Sequence, residues 1–241
     1  MSTKIRLYFS KELKANLQST LSIEQSHYIK NVMRLKPGDI ISLFNPKNGE
    51  WDAKIVNHSK ENTEFIVERL TKSENIKNNL WLAFSPIKKN NLDMLLQKVT
   101  ELGVEKFIPI LSERSTVREI NTERAKKIII EASEQSNRIS IPEIKNLQSL
   151  KNFLNEFPKN GYLIFCDINS EKSSLNNIIL KKIKGPICVL VGPEGDFSET
   201  ERQLIIEKKE IFSLSLAQNI LRAETAAIAV VSIVNYHLNF N

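Results

Sequence analysis

The sequence has little cysteine, histidine or glycine, and no recognisable metal-binding motif. It contains 241 residues, with two cysteines, three histidines and seven glycines. The histidines are scattered and neither a CxxC nor an HExxH pattern occurs, so we expect no metal site. Cys166 and Cys188 each lie in an apolar run, which predicts buried free thiols in a reducing compartment rather than a disulfide framework.

Long hydrophobic runs are also absent. No apolar stretch approaches the ~20 residues that a membrane helix needs. The N-terminal residues carry charges and lack the apolar centre of a signal peptide. Hydrophobic residues make up 41% of the chain, which is enough for a buried core. These features predict a cytoplasmic protein with no membrane segment.

Arginine is scarce among the basic residues. The chain has 34 lysines and arginines against 28 acidic residues, a net charge of +6, yet only nine of the basic residues are arginines. Arg114, Arg118, Arg138 and Arg222 lie at or beside the ends of predicted elements. Arginine binds phosphate through two parallel hydrogen bonds and stacks on bases, so these positions favour a nucleic-acid partner.

The spacing of apolar residues divides the chain into a β-rich beginning and an alternating remainder. The first part has predicted strands at 5–9, 40–44, 51–56 and 63–70 and a short helix at 24–33. A polar linker is predicted at 71–79. Strands at 80–84, 106–111, 162–166, 187–191 and 211–216 then alternate with helices at 91–102, 121–135, 150–157, 198–209 and 223–238. This pattern predicts an α/β domain with a parallel sheet at 73–241, preceded by a small β-domain at 1–72.

A glycine-containing turn is the first candidate site. Val191, Gly192, Pro193, Glu194 and Gly195 follow a buried strand and precede a helix that opens with a Ser-x-x-Glu capping box. Open α/β sheets place ligands at the carboxyl ends of strands, and glycine lets the backbone approach a ligand. A plain strand-to-helix turn is the alternative. The absence of a GxGxxG pattern argues against a classical dinucleotide site.

The second candidate site runs from Leu216 to Ala226, where a strand ends and an apolar helix begins. A helix start explains Glu224, which suits the positive end of the helix dipole, and Thr225, which can bond early N–H groups. It does not explain Arg222, because a cation is disfavoured there. Arg222 therefore favours an anionic partner, either a carboxylate or a phosphate.

Together these motifs resemble those of the SPOUT-type methyltransferases that make 3-methyluridine in 16S ribosomal RNA, the RsmE family. The shared pattern includes Gly-Pro-Glu-Gly at 192–195 and Ile-Leu-Arg-Ala-Glu-Thr-Ala at 220–226. It extends upstream through 97–104, 109–115 and 131–138, and through Arg6 and 27–39 in the leading part. The resemblance covers essentially the whole chain. This chain departs from the family at Asp196, where a second glycine is usual, and at Ala217, Gln218 and Asn219.

The resemblance implies a PUA-like β-barrel domain followed by a methyltransferase domain tied in a deep trefoil knot. It also implies a homodimer, with the helix at 223–238 as an interface element, and S-adenosylmethionine as methyl donor without a metal. The loop after Cys166 is expected to form one side of the donor site. The implied donor-binding residues are Val191, Gly192, Pro193, Glu194, Gly195, Leu216, Ile220, Leu221, Arg222, Thr225 and Ala226.

The implied reaction is methyl transfer to N3 of a uridine in 16S ribosomal RNA of the small ribosomal subunit. Arg222 or Arg138 would stabilise the developing uridinate, and Glu224 or Glu134 would accept the imide proton. The expected RNA-binding residues are Arg6, Arg34, Lys36, Arg114, Arg118 and Arg138. The alternatives are a SPOUT enzyme that acts on another RNA position or a ribose 2′-hydroxyl, and a non-catalytic RNA-binding assembly factor.

Overall fold

The structure is a computed structural model that describes residues 5–73, 79–170 and 184–240. The chain forms two compact units. Unit 1 contains Met1–Ile76 and Ser133–Ile141, and unit 2 contains Lys77–Ala132 and Pro142–Asn241. The predicted division into 1–72 and 73–241 differs from this one chiefly at Ser133–Ile141, which belongs to the first unit. Residues 74–78 of the predicted linker lie outside the described residues.

Unit 1 is built around one five-stranded sheet. Its strands are β1 (Arg6–Tyr8), β2 (Gln18–Thr20), β3 (Ile40–Asn45), β4 (Gly49–His58) and β5 (Thr63–Lys72). Their order in the sheet is β1-β3-β4-β5-β2. β1 pairs in parallel with β3, and the other neighbours are antiparallel. The predicted strands of this part are confirmed, and β2, which has no alternating apolar pattern, was not predicted.

The predicted helix at 24–33 is present as two segments. The helix α1 (Ile23–His27) is followed directly by a π-helical turn, Tyr28–Val32. A capping box opens α1, because the Ser22 hydroxyl accepts the Gln25 N–H and the Gln25 side chain accepts the Ser22 N–H. The fully buried Ile29 anchors the turn in an apolar core that also contains Leu43 and Phe65.

Arg6 explains why Ser133–Ile141 belongs to unit 1. Its guanidinium donates to both Glu50 carboxylate oxygens at 3.0 and 2.9 Å. It also donates to the carbonyl oxygens of Ser133, Glu134 and Arg138 at 3.1, 2.7 and 2.9 Å. An arginine has five N–H donors, so these bonds use all of them. The β1 strand is thereby tied to a segment that follows it by more than a hundred residues.

Unit 2 contains the predicted alternation of strands and helices. Its strands are β6 (Leu80–Phe84), β7 (Lys106–Leu111), β8 (Glu143–Ile144), β9 (Gln148–Ser149), β10 (Tyr162–Cys166), β11 (Ile187–Val191) and β12 (Ile211–Leu214). Its helices are α2 (Lys89–Glu101), α3 (Thr122–Gln135), α4 (Leu150–Glu156), α5 (Glu199–Ile206) and α6 (Ala223–Phe240), with the last residues of α3 falling in unit 1.

The sheet of unit 2 is parallel throughout, in the order β12-β10-β11-β6-β7-β8, and β9 pairs with the end of β7. All five residues of β11 are buried, as expected of a strand covered on both faces. α6 packs against α2, β11 and β6. The parallel α/β architecture is confirmed. The knot stays a prediction, since residues 171–183, which precede β11, lie outside the described residues.

Within the described residues, none of the helices combines the length and the apolar character that crossing a membrane requires.

Candidate active site

The candidate site of unit 2 lies where its parallel strands end. Parallel strands present their carboxyl ends along the same side of the sheet, and ligands of open α/β sheets bind there. β10, β11, β6 and β7 are consecutive strands of this sheet, and β12 pairs with β10. The segments that follow these strands therefore lie along a common side. The predicted donor-binding residues of this unit lie at the end of β11 and in the segments that follow β11 and β12.

The glycine loop, residues 192–195, is a tight turn between β11 and α5. The Pro193 carbonyl accepts the Asp196 N–H at 3.0 Å. Asp196 has φ +58°, a left-handed conformation in which glycine is most comfortable and aspartate is tolerated. Its carboxylate accepts the N–H of Phe197 at 2.8 Å. Aspartate at this position thus adopts a backbone conformation that glycine also favours.

The exposed part of the glycine loop meets an arginine from the loop after β7. Glu194 and Gly195 are exposed, whereas Pro193 is buried. Arg114 donates from Nη1 to the Gly195 carbonyl at 3.1 Å. The structure therefore brings Arg114, predicted to bind RNA, next to the loop predicted to bind the methyl donor. Arg118 is exposed on the same segment of the chain.

Buried serines organise the ends of β6 and β7. The Ser112 hydroxyl lies 3.1 Å from the Ser85 hydroxyl and 2.7 Å from the Ser115 hydroxyl. The Ser115 hydroxyl also accepts the Ser112 N–H at 3.1 Å. These bonds fix residues 112–115 and with them the backbone of Arg114. Ser112 and Ser115 belong to the motif at 109–115, but nothing in the sequence predicted that their hydroxyls lie together with that of Ser85.

Glu201 connects residues 112–115 to the start of α5. Its Oε1 accepts the Glu113 N–H at 2.9 Å, and its Oε2 accepts the Ser198 N–H at 3.0 Å. The Ser198 hydroxyl accepts the Glu201 N–H in return, which confirms the predicted capping box. The capping pattern predicted the bond to Ser198, but nothing in the sequence indicated the bond to Glu113.

Asp167 follows β10 and is paired with Arg202 of α5. Its side chain is 1% exposed, and its Oδ2 accepts from Nε and Nη2 of Arg202 at 3.1 and 2.9 Å. The hydrogen bond to Asp167 holds the pKa of Arg202 above its ordinary value. The Asp167 N–H also bonds the Leu214 carbonyl at the end of β12. Sequence reasoning pointed to the loop after Cys166 but identified neither member of this pair.

The second predicted segment leads into α6. Leu216 and Leu221 are partly buried, whereas Ile220 is 83% exposed. The helix begins at Ala223, and the Ala226 N–H bonds the Arg222 carbonyl at 2.8 Å. Arg222 and Thr225 are exposed. Glu224 is only 4% exposed, and its carboxylate has no hydrogen bond or ion pair with another residue of the described ranges.

Glu134 and Arg138 belong to unit 1, where both make structural contacts. The Glu134 carboxylate accepts the Tyr8 N–H at 2.8 Å. The Arg138 guanidinium bonds the Ser140 hydroxyl at 2.8 and 3.3 Å. The carbonyl groups of both residues accept from Arg6. These bonds give the two side chains a role in holding unit 1 together, apart from any part in catalysis.

The predicted RNA-binding residues of unit 1 differ in accessibility. Arg34 and Lys36 are exposed, and Arg34 has φ +56°. The Lys36 N–H is fixed by the Asp39 carboxylate at 2.7 Å, while its ammonium group stays in solvent. The Arg6 side chain is only 8% exposed and its donors are all used within the unit. We therefore do not retain Arg6 as an RNA-binding residue.

The cysteines are free thiols, as predicted. Cys188 is buried and Cys166 is partly buried. Burial raises the pKa of Cys166 to about 12, so this thiol is protonated at neutral pH. In the described part of the chain, no group of three or more His, Cys, Asp or Glu side chains is placed to hold a metal ion.

The comparisons with known proteins agree with the two-unit architecture. The profile of the RNA methyltransferase domain matches residues 74–235, and that of the RNA methyltransferase PUA domain matches residues 22–68. The ribosomal RNA small subunit methyltransferase E of Rickettsia conorii is 34% identical over 229 residues, covering 94% of this chain and 93% of the relative. The chain belongs to this methyltransferase E family. The resemblance stated from the sequence is thereby confirmed.

Other methyltransferase E proteins extend the similarity to three dimensions. The Bacillus subtilis protein is 29% identical, over 95% of both chains. The crystal structure of the Neisseria gonorrhoeae protein bound to S-adenosyl methionine superposes with a TM-score of 0.87 at 28% identity, covering 96% of each chain. The methyltransferase E fold, an N-terminal PUA-like domain followed by a parallel-sheet methyltransferase domain, is therefore that of this chain.

Proposed function

We propose that this protein transfers a methyl group from S-adenosylmethionine to ribosomal RNA of the small subunit, at N3 of a uridine in 16S ribosomal RNA. The observation that carries the proposal is the end-to-end similarity to ribosomal RNA small subunit methyltransferase E proteins, one of which was solved with S-adenosyl methionine bound. The assignment of uridine N3 as the methylated atom rests on the resemblance of the motifs at 192–195 and 220–226 to those of the RsmE family.

The glycine loop fits a donor that is recognised through the backbone. A side chain at Gly192 would bring its Cβ to 3.1 Å from the Phe197 ring, so glycine keeps both the loop and the ring in place. Exposed Glu194 and Gly195 offer backbone groups to a ligand. We assign donor binding to Val191, Gly192, Pro193, Glu194, Gly195, Leu216, Ile220, Leu221, Arg222, Thr225 and Ala226. The donor, when bound, supplies a methyl group already activated by the positive sulfonium.

The chain itself must remove the N3 imide proton and stabilise the charge that remains on the base. Glu224 is buried without a described partner, so its carboxylate is available to accept a proton. Arg222 is exposed at the start of α6 and can offer its guanidinium to the uridinate oxygens. We favour this pair over Glu134 and Arg138, whose side chains are bonded within unit 1.

RNA binding is assigned to exposed cations. Arg34 and Lys36 in unit 1, and Arg114 and Arg118 in unit 2, are exposed and can reach phosphates. Arg138 is partly buried, and its guanidinium is bonded to Ser140. A homodimer and a trefoil knot complete the proposal, and both rest on the family resemblance.

The deciding experiment is methyl transfer to purified small ribosomal subunits, followed by mass spectrometry of the nucleosides. We expect 3-methyluridine. A ribose-methylated or guanine-methylated product would support a SPOUT enzyme of another specificity. If calorimetry detected no binding of S-adenosylmethionine, a non-catalytic assembly factor would be the better description.

The same assay tests the assigned roles of Arg222 and Glu224. We expect Arg222→Ala and Glu224→Gln to lower kcat by about a hundredfold or more, the usual loss when a group that stabilises or deprotonates the reacting atoms is removed. Lys151→Ala, an exposed cation on α4, is the matched control and should leave kcat unchanged. Near-normal turnover in Arg222→Ala would remove Arg222 from the mechanism.

A further inference from the structure

The first turn of α5 makes two long-range contacts that neither the glycine loop nor the family motifs account for. Glu201 and Arg202 are consecutive residues with opposite charges, and each bonds a different loop. Glu201 accepts the N–H of Glu113 in the loop after β7. Arg202 donates twice to Asp167 in the loop after β10. Because the glycine loop leads directly into α5, one helical turn connects the loops that follow β7, β10 and β11.

Helix stability explains only part of this arrangement. A glutamate at the third position of a helix completes a capping box and suits the helix dipole. An arginine at the next position is disfavoured by the same dipole. Its placement is explained instead by Asp167, which is 1% exposed and would be an unpaired buried charge without it.

Asp167 extends the connection to two more backbone segments. Its Oδ1 accepts the Asn169 N–H at 2.9 Å, and its own N–H bonds Leu214 at the end of β12. On the other side, the Glu113 N–H is adjacent to Arg114, which bonds the Gly195 carbonyl. The two contacts of α5 therefore fix the backbone of two segments, one after β7 at Glu113 and one after β10 at Asp167 and Asn169.

We propose that Glu201 and Arg202 are positioning residues that hold residues 112–115 after β7 and residues 167–170 after β10 in place against the glycine loop, so that the methyl-donor site is formed before the donor binds. This inference rests on the proposed function. A site whose loops are already ordered avoids the entropy cost of ordering them on binding, and so binds more tightly.

The test compares Glu201→Gln and Arg202→Gln with two controls in the full-length protein. Arg124→Gln removes a more exposed arginine-aspartate pair, in which Arg124 Nε lies 3.1 Å from the Asp93 carboxylate on helix α2. Ile205→Val removes one methyl group from the fully buried face of α5 without touching either loop. Thermal unfolding identifies the temperature at which all four variants are folded, and all binding is measured there.

We expect the Kd for S-adenosylmethionine, measured by calorimetry, to rise at least tenfold in Glu201→Gln and Arg202→Gln. The KM for the donor should rise with it, while kcat changes less than twofold. Both controls should keep their Kd within twofold of that of the parent, even if their Tm falls as much as the Tm of Glu201→Gln and Arg202→Gln. Arg202→Lys, which keeps one charged donor for Asp167, should give an intermediate Kd.

Amide hydrogen exchange without donor provides an independent measurement. Glu201→Gln leaves one acceptor oxygen in place of two, so it should accelerate exchange at Glu113, at Ser198 or at both. Arg202→Gln should accelerate exchange at Asn169, and neither variant should affect the positions assigned to the other. A Kd within twofold of the parent in both variants would overturn the positioning role while leaving the proposed function intact. If the parent protein bound no S-adenosylmethionine, both proposals would be wrong. Should Arg202→Gln fail to fold, the Kd of Arg202→Lys is compared with the parent and the controls instead.

Discussion

Arg6 shows how strongly a single side chain can be committed to structure. Its guanidinium lies 4.3 Å from the centre of the Phe44 ring, in addition to its bonds to Glu50 and to three carbonyl groups. The carbonyls of Ser133 and Glu134 come near the end of α3, where helix carbonyls lack partners within the helix. The negative end of the helix dipole also favours a cation at this place. The residue thus adds a donor to carbonyl groups at the end of α3, of which that of Ser133 also accepts the Arg138 N–H at 3.2 Å.

Replacing Arg6 by lysine tests this role because the charge is kept. A lysine has three donors on a single nitrogen and cannot reproduce a planar set of five. We expect Arg6→Lys to lower the free energy of unfolding by about 3 kcal/mol, in the range found when a buried ion pair is disrupted. Urea denaturation measures this. RNA affinity at a temperature where the variant is folded should stay within twofold, and a large loss there would return Arg6 to the RNA-binding residues.

Glu50 makes the same cluster sensitive to pH. Burial alone raises the pKa of Glu50, but hydrogen bonds from Arg6 and Ser42 and the charge of Arg6 outweigh it, so the pKa lies below its ordinary value of 4.5. A carboxylate with a lowered pKa stabilises the folded state above the unfolded pKa, and the contribution is lost as the pH falls through the folded pKa.

We therefore expect Glu50→Gln to cost about 1–3 kcal/mol at pH 7, the usual loss for hydrogen bonds to a charged partner. The difference from the parent should shrink as the pH is lowered below 4.5, the ordinary pKa of this carboxyl. Urea unfolding of both proteins between pH 3 and pH 7 measures it. A difference that stays constant over this range would mean that folding does not change the pKa of Glu50.

At the level of secondary-structure elements, the start of α5 depends on its capping box. The Ser198 hydroxyl accepts the Glu201 N–H at 3.2 Å. Ser198→Ala should lower the free energy of unfolding by about 1 kcal/mol, the typical cost of losing an N-cap side chain. Ser149→Ala is the matched control, because Ser149 caps α4 through a single bond to the Asn152 N–H at 3.1 Å. An equal loss in the two variants would confirm a purely local effect.

The sequence was most informative where apolar runs were long. β6, β7, β10 and β11 were predicted with the bounds that the structure shows, because buried parallel strands are continuous apolar runs. β8 and β9 were missed because each has two residues and no periodicity to detect. The predicted end of α5 was three residues too late, since Lys208 and Lys209 follow its last helical turn.

The contacts of the candidate site were harder to predict than its position. The motifs placed the glycine loop and the start of α6 correctly at the ends of β11 and β12. Glu201, Arg202 and Asp167 acquire their roles from partners that are distant in sequence. Glu113 and Glu201, for example, are 88 positions apart. The structural contacts of Arg6 were not predicted for the same reason, because its acceptors other than Glu50 lie 127 residues or more beyond it in the chain.

For the whole molecule, which carries a net charge of +6, the proposed RNA binding should weaken as the salt concentration rises. The logarithm of the binding constant falls linearly with the logarithm of salt concentration, with a slope of about −0.7 per phosphate contact on single strands. Arg34→Gln and Lys36→Gln should each make the slope shallower by about 0.7, measured by filter binding to 16S ribosomal RNA. Lys151→Gln is the control, and an unchanged slope in all three would place the RNA contacts elsewhere.

The composition of unit 1 also bears on how the chain matures during synthesis. The carbonyl groups that accept from Arg6 belong to Ser133, Glu134 and Arg138, so they leave the ribosome long after β1 does. Until then Arg6 lacks the acceptors for three of its five hydrogen bonds. The β-rich N-terminal part is made first, but it cannot finish folding until well over half of the chain has been translated.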